Sequence, residues 1–461
     1  PPFNTGARDW KYNNDYVDNE DPYRHSKWLS MMYSRLYLSK NLLKDDGILI
    51  CTIDFNEQER LGLLLEDLFP SHEIKCVTIV HNPAGTQGLN FSNTNEYAYF
   101  IYPKKGKRIS NEIREDFEDV RNFRDVTGDS SKRAAGKNCF YPVYIKDNKV
   151  IGFGDICASN FHPKVNETRD DGSIAVYPVD PKGVERKWRF ARNTVEEIQS
   201  QLKVSYIKNR DIFDIQRVKN EFNYKTVWNS PKFFANNHGT QLLNRILKVD
   251  FPYPKSLYAV MECIKAAEFR KKDTLILDFF AGSGTTGHAV LELNKLDNQN
   301  RNFILCTNNE NNIAEEVTYQ RVKKVIEGYT GINDKKKYEG LGGNLRYFKT
   351  NLFPFENTDS NIKNYADKLV ETLKIKEDSF EEYKVTDDLK IYKNMENYLV
   401  IIYDDSKIYE NKDLINSLDK KVKIYSFSLS NDDLSDYIEE LEIDAESYTF
   451  PIPTIKSFKK K

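Results

Sequence analysis

The chain has 461 residues, of which 39% are hydrophobic and 30% are charged, and its formal net charge is −2. This length predicts two to four domains instead of a single core. No stretch approaches 18 consecutive apolar residues and no charged-then-apolar leader is seen, so we expect a cytoplasmic protein without a membrane-spanning helix. The six cysteines lack CxxC spacing, which indicates reduced thiols, and neither a zinc site nor another metal is expected.

The near-neutral net charge hides an asymmetry along the chain. Residues 104–237 hold 26 Lys and Arg against 19 Asp and Glu, whereas residues 351–461 hold 16 against 24. A basic middle segment is suited to contact with phosphates, and a solvated charged face is the alternative.

The first hundred residues predict alternating helices and strands. Residues 29–43 carry apolar side chains near helical spacing, residues 48–54 form a buried strand, and residues 56–69 form a second amphipathic helix. Residues 75–81 and 96–102 predict an antiparallel pair at the edge of a sheet. This succession is typical of the α/β class.

Two less regular segments follow. Residues 82–95 form a loop rich in Gly, Asn and Ser, which is either functional or a plain surface loop. Residues 104–237 show weak periodicity, with isolated Arg and Lys between aromatic residues, and predict short strands and turns. Because Arg and Lys contact phosphates, and Arg, Asn and Gln read base edges, this second segment is a candidate for nucleic-acid contact.

A glycine-bearing turn dominates the later part of the chain. Residues 274–278 predict a buried strand ending in Asp278, then Gly282 and Gly284 precede a helix that begins at about Thr285. Such a turn lies at the carboxyl edge of a parallel sheet, where ligands bind, and glycine lets backbone approach a ligand closely. The spacing is neither GxGxxG nor a Walker loop. On spacing alone, a ligand site and a structural turn remain equal alternatives.

The residues of this turn resemble a known family. The nine residues 278–286, DFFAGSGTT, resemble the S-adenosylmethionine loop of amino-methylating DNA methyltransferases. Pro1-Pro2-Phe3 resembles that family's catalytic motif, Asp-Pro-Pro-Tyr/Phe, without its first residue. The catalytic motif precedes the cofactor motif, as in the β group. With further matches at residues 23–29, 91–97, 225–228, 251–255 and 308–310, the chain resembles the modification subunit of a type III restriction–modification system over most of residues 1–350.

The resemblance implies a fold and a division into domains. The expected fold is α/β, with a Rossmann-like sheet of an S-adenosylmethionine-dependent methyltransferase. Residues 1–103 are its catalytic half and residues 238–340 its cofactor half. Residues 104–237 are an inserted target-recognition domain, and residues 341–461 form a C-terminal α/β domain for assembly, after a hinge or tight turn at 340–343.

The resemblance also implies roles for individual residues. The catalytic residues are Pro1, Pro2 and Phe3. The cofactor-binding residues are Asp278, Phe279, Phe280, Ala281, Gly282, Ser283, Gly284, Thr285, Thr286, Lys255, Asn308 and Glu310. A plain surface lysine is the alternative at Lys255, and the ribose ligand is either Asn308 or Glu310. The DNA-binding residues are Asn82, Arg133, Lys137, Arg189 and Arg192.

The implied reaction is methylation of adenine N6 in DNA, with S-adenosylmethionine as cofactor and the target base flipped out of the duplex. The loop 82–95, if functional, is a candidate clamp around the extruded base and would hold the opened duplex together with the 104–237 domain. The implied partners are double-stranded DNA, a second copy of the chain and a restriction subunit. Cytosine N4 methylation and a non-catalytic DNA-binding or assembly subunit stay open, since the residue before Pro1 would decide among the three. Because the strand carrying the motif's Asp lies upstream of Pro1, we expect residues 1–461 alone to transfer little or no methyl.

Overall fold

A computed structural model describes residues 1–5, 21–114, 119–249, 251–268, 274–350, 359–403, 407–426 and 434–449. The chain divides into two compact units, residues 1–347 and 348–461. In the described residues, no helix is both long and apolar enough to span a bilayer.

The helices of the first unit are α1 (Arg24–Lys40), α2 (Gln58–Leu68), α3 (Gln241–Ile246), α4 (Leu257–Ala267), α5 (Thr285–Asp297) and α6 (Tyr319–Glu327). Its first strands are β1 (Leu49–Ile53), β2 (His72–Val80), β3 (Asn95–Pro103), β4 (Asn111–Ile113), β5 (Asp119–Asn122), β6 (Val143–Lys146), β7 (Lys149–Phe153), β8 (Asn166–Thr168) and β9 (Ile174–Val176). The later strands are β10 (Leu202–Ile207), β11 (Ile212–Lys219), β12 (Glu221–Asn223), β13 (Val227–Trp228), β14 (Leu275–Asp278), β15 (Asn302–Leu305), β16 (Gly328–Thr330) and β17 (Lys337–Glu339).

A four-stranded sheet in the order β1-β3-β2-β13 organises the catalytic half. The predicted helices and the strand at 48–54 are confirmed, and β2 and β3 pair in antiparallel register with Ile79 opposite Glu96. The prediction that this pair lies at the sheet edge is wrong, because β3 lies between β1 and β2, and β13 pairs with the far side of β2. The side chains of β3 are buried almost continuously, including those of Ala98, Phe100 and Ile101, as is typical of an internal strand.

An inserted β-rich module separates the two halves of the first unit. It contains the sheets β10-β11-β5 and β7-β6-β9-β8 and the pair β4–β12. Its core contains Phe123, Tyr141 and Trp188. The module runs from β4 to β12, inside the predicted range 104–237, and β13 returns the chain to the first sheet.

The cofactor half contains the parallel pair β14–β15, connected by α5. Helices α4 and α5 share a core that includes Leu257, Met261 and Leu293. The strand predicted at 274–278 is confirmed, but the prediction that it is buried is wrong, because in the described part of the chain β14 pairs with β15 alone and its Leu275 and Leu277 are 59% and 37% exposed. Among the described residues this pair and the four-stranded sheet are separate sheets, so they do not form one continuous Rossmann-like sheet.

The second unit is an α/β fold in which helices pack on both faces of one sheet. It contains helices α7 (Asp359–Lys376), α8 (Lys412–Asn416) and α9 (Ser435–Glu439), and strands β18 (Glu381–Val385), β19 (Leu389–Lys393), β20 (Asn397–Ile402), β21 (Lys421–Ser426) and β22 (Ala445–Thr449). The strands form a five-stranded sheet in chain order, with β20, β21 and β22 parallel. The turn at 340–343 belongs to the first unit, because Leu341 and Gly342 donate backbone hydrogen bonds to α6.

Candidate active site

The turn between β14 and α5 is held by the carboxylate of Asp278. Its Oδ1 accepts a hydrogen bond from the Phe280 amide (3.0 Å), and its Oδ2 accepts one from Thr286 Oγ1 (2.6 Å). The Ala281 amide donates to the Cys306 carbonyl, which follows β15, at 3.0 Å. Asp278 thus joins the end of β14 to the first turn of α5 and fixes the loop at the carboxyl edge of both strands.

The two glycines of the loop both have left-handed backbone conformations. Gly282 has φ 51° and Gly284 has φ 74°. A Cβ added at Gly284 would lie 3.1 Å from the carbonyl oxygen of Thr318. Thr318 also donates from its hydroxyl to the Gly282 carbonyl (2.6 Å). We expected a ligand to approach Gly284 closely, but the neighbour found there is the backbone of Thr318. The fold itself therefore favours glycine at this position.

A fully buried arginine that the motif did not indicate lies under the loop. Arg321 donates to Thr285 Oγ1 (2.8 Å), to Ser283 Oγ (3.1 Å) and to the Ser283 carbonyl (3.3 Å). Its NH2 lies 3.3 Å from His288 Nδ1. Burial lowers the pKa of Arg321 to about 10 and that of His288 to about 4. The hydroxyls of Ser283 and Thr285 therefore serve this internal network.

One cavity of about 820 Å³ brings the two predicted motifs together. Its lining includes Pro1, Pro2 and Phe3 and, from the predicted cofactor residues, Asp278, Phe279, Phe280, Ala281, Gly282, Ser283, Thr285, Thr286 and Lys255. The edges of β1 and β14 also line it, and among the described residues β1 pairs with β3 alone and β14 with β15 alone. Segments more than 270 residues apart in sequence thus meet in one apolar space.

Pro1–Phe3 are held in this cavity by contacts from Trp28 and Lys255. The indole Nε1 of Trp28 on α1 donates to the Pro2 carbonyl (2.9 Å). The ammonium of Lys255 lies 4.1 Å from the centroid of the Phe3 ring and forms an ion pair with Glu96 of β3. Nearby, burial raises the pKa of Asp54 at the end of β1 to about 6. Lys255 is therefore a partner of Glu96 and Phe3 in this structure, and its predicted role as a cofactor ligand remains a prediction.

The two alternatives for the ribose ligand lie together after β15. Asn308 Nδ2 donates to Glu310 Oε2 (3.0 Å), and the Glu310 amide donates to Asn308 Oδ1 (3.3 Å). Both residues are exposed. They form one amide–carboxylate pair, so the structure does not choose between them.

The predicted DNA-binding residues fall into two groups. The guanidinium of Arg133 donates to the carbonyls of Ala158, Phe161 and Cys157 and lies 3.9 Å from the Phe140 ring centroid. Arg192 similarly donates to the Gly154 carbonyl (2.6 Å). These two side chains stabilise the inserted module. The other three, Asn82, Lys137 and Arg189, are accessible to a partner to differing degrees. DNA contact remains a prediction at all five.

Of the two site residues that the motifs did not indicate, Arg321 and Glu96, the first carried a signal in the sequence. Arg321 takes the place of an apolar residue between Val317 and Val325, four residues to either side along α6 and the π-helical turn before it, and both valines are buried. A lone charge at such a position indicates a buried polar network. Glu96 carried no comparable signal, because its role depends on the register of β3. Among the described residues, no group of His, Cys, Asp and Glu could hold a metal.

Comparison with known proteins agrees with the motifs. Residues 1–339 match the DNA methylase family. The type III restriction-modification enzyme EcoPI Mod subunit of Escherichia phage P1 is 28% identical over 392 residues, which cover 72% of this chain and 59% of that protein. Type II methyltransferase M.KpnI of Klebsiella pneumoniae is 29% identical over 352 residues, covering 72% and 79%.

The StyLTI Mod subunit of Salmonella typhimurium, also named a type III restriction-modification enzyme, is 28% identical over 363 residues, covering 70% of this chain and 51% of that protein. The chain thus spans a little over half the length of the two Mod subunits it matches here. The resemblance to type III modification subunits seen in the sequence is confirmed. Since the family match includes both motifs and most of the chain, the chain belongs to the DNA methylase family.

Proposed function

We propose that this protein is the modification component of a type III restriction–modification system and methylates adenine N6 at specific sites in DNA, with S-adenosylmethionine as methyl donor. The observation that carries the proposal is the shared cavity lined by Pro1–Phe3 and the loop 278–286. Its volume of about 820 Å³ lies in the range of roughly 300–1,000 Å³ that is typical of small-molecule sites.

The cavity fits an amphipathic nucleoside ligand. Phe279 and Phe280 supply aromatic faces, while Asp278 fixes the backbone of the loop that the ligand would contact. Asn308 and Glu310 supply an acceptor pair suited to ribose hydroxyls at the same edge. S-adenosylmethionine, when bound, supplies an electrophilic methyl group on a sulfonium. The Lys255–Glu96 pair lies at the Phe3 side of the same cavity and can bind a charged amino-acid group.

The residues Pro1–Phe3 orient the acceptor. The lone pair of an exocyclic amine is delocalised into the ring, so acceptors for its hydrogens favour the geometry in which the lone pair points at the donor. We assign the Pro1 carbonyl to this task. Phe3 stacks on the extruded base with the face of its ring that is opposite Lys255. Trp28 fixes the backbone between Pro1 and Phe3 through its hydrogen bond to the Pro2 carbonyl. Positioning of this kind contributes up to about 7–11 kcal/mol in model reactions.

The inserted module is the proposed reader of DNA. Lys137 and Arg189, the more accessible of the predicted cations, are assigned to phosphates, and Asn82 follows the end of β2. Two relatives of the chain are named as Mod subunits of type III restriction-modification enzymes. We therefore propose that the chain acts as a homodimer together with a restriction subunit, and that the second unit serves this assembly.

Identification of the methylated base tests the proposal. DNA is isolated from a methylation-deficient host that expresses the protein, and its nucleosides are separated and counted. We expect N6-methyladenine confined to one sequence motif, and its loss in Phe3→Ala. N4-methylcytosine alone would replace the adenine assignment, and unmethylated DNA would contradict the methyltransferase assignment.

A further inference from the structure

The loop between β2 and β3, residues 82–95, is an ordered finger. The amides of His81 and Asn82 donate to the Thr94 carbonyl (both 3.1 Å). Further out, Thr86 and Asn93 exchange two backbone hydrogen bonds, at 2.8 and 3.1 Å. The two arms of the loop are therefore paired beyond the ends of the strands, and the tip has a defined direction.

The tip of this finger presents two large apolar side chains to solvent. Leu89 is 100% exposed and Phe91 is 85% exposed. A Cβ added at Gly88 would lie 2.5 Å from the Phe91 carbonyl oxygen, so the turn that displays them depends on glycine. Exposing two such side chains at a tip held by its own backbone is unfavourable for the free protein, which indicates a surface that is covered when a partner binds.

The root of the finger adjoins the cavity. Glu96, two residues after Thr94, forms the ion pair with Lys255, whose ammonium lies over the Phe3 ring. At the other arm, the His81 carbonyl accepts a hydrogen bond from the Ala235 amide (2.9 Å). The finger therefore rises from strand ends beside Lys255, whose ammonium contacts the ring of Phe3, a residue assigned to the extruded base.

The composition of the finger suits a nucleic-acid partner. Residues 82–95 contain neither Asp nor Glu, so the tip can approach phosphates without charge repulsion. Asn, Gln, Ser and Thr side chains around the tip can bond to the backbone and base edges of DNA. Apolar wedges between base steps are a known means of unstacking a duplex.

We propose that Phe91, supported by Leu89, inserts into the duplex beside the target base and fills the space that the base leaves on flipping. The inference rests on the proposed function and adds a residue that acts on the DNA rather than on the methyl donor. Insertion covers both apolar side chains and replaces the stacking that the extruded base loses.

Fluorescence of 2-aminopurine tests the insertion. The methylated motif, mapped as above, is built into duplexes that carry 2-aminopurine at the target position, and the protein is added. Stacking quenches this base, so flipping raises its emission. We expect Phe91→Ala to lower the flipping equilibrium constant obtained from this emission roughly 5- to 150-fold, the order of one lost base–aromatic stacking contact. Phe91→Trp should preserve the enhancement, and Leu63→Ala, which truncates an exposed leucine of α2, is the matched control.

A duplex whose target base faces an abasic site separates insertion from simple binding. That base is already unpaired, so Phe91→Ala should regain most of its enhancement there if the ring acts as a wedge. A normal enhancement in Phe91→Ala on the paired duplex overturns the inference, as does an equal loss on both duplexes. Normal flipping with an altered sedimentation coefficient would assign the tip to a protein interface instead. If the wild-type protein neither flips nor methylates, the proposed function fails first, and the inference with it.

Discussion

The ion pair between Lys255 and Glu96 can be tested quantitatively. The Glu96 side chain is 7% exposed and that of Lys255 is 22% exposed. Lys255→Met leaves the carboxylate buried without its counterion, and breaking a buried pair in this way costs about 3–5 kcal/mol. Because the lysine is partly solvated, we expect about 3 kcal/mol, near the lower limit. The double variant Lys255→Met/Glu96→Gln removes the orphaned charge and should recover all but about 1 kcal/mol.

Urea unfolding followed by tryptophan fluorescence measures this cost, because all four tryptophans precede residue 348 and report on the first unit. Lys75→Met breaks an exposed pair with Glu73 (3.2 Å) and should change the stability by less than about 0.5 kcal/mol. Calorimetry with S-adenosylmethionine then separates two roles of Lys255. Affinity restored in the double variant indicates a positioning lysine, whereas affinity lost in both variants indicates a ligand. A single variant as stable as wild type would refute the reasoning.

Three further outcomes follow from the site and the inserted module. Arg321→Met should lower the stability of the first unit by about 2–4 kcal/mol, since it removes charged hydrogen bonds under the loop, and should weaken cofactor binding in calorimetry. His288, with its pKa lowered to about 4, is neutral in the folded protein while the unfolded chain binds its proton below pH 6.5. It therefore contributes about 3 kcal/mol of stability that is complete above pH 6.5 and lost as the pH falls to 4. The contribution of Asp54, whose pKa is raised to about 6, falls with rising pH and so opposes that of His288. The measurement is therefore the difference in unfolding free energy between wild type and His288→Gln as a function of pH. A difference that does not change with pH would contradict the burial of His288. Arg189→Ala should reduce the slope of log DNA affinity against log salt concentration by about one and leave folding intact. Arg133→Ala should instead destabilise the inserted module. The reverse pattern would exchange the roles of the two arginines.

The parts of the fold that could be predicted are those set by local periodicity. Both helices of the catalytic half and the strand before Asp278 follow from apolar spacing. The position of β3 could not be found in this way, because sheet order depends on which strands pair over long distances. The same limit applied to β13, two residues whose parallel pairing with β2 returns the chain to the first sheet.

The site shows a similar division. The motifs at 1–3 and 278–286 were visible as sequences, and the structure brings them to one cavity. The supports of the motifs were hidden, because Glu96, Thr318 and Arg321 act through tertiary contacts with residues far away in the chain. Gly284 illustrates the difference. Its need for a left-handed conformation is local, but the neighbour that excludes a Cβ there belongs to another segment.

A crystal structure of the protein with S-adenosylhomocysteine tests the central claim most directly. The account predicts the nucleoside against residues 278–283, its ribose near Asn308 and Glu310, and its sulfur facing Phe3 within the cavity. A ligand bound elsewhere, or one in this cavity that contacts neither Phe3 nor the loop after β14, would contradict the assignment of both motifs to a single active site.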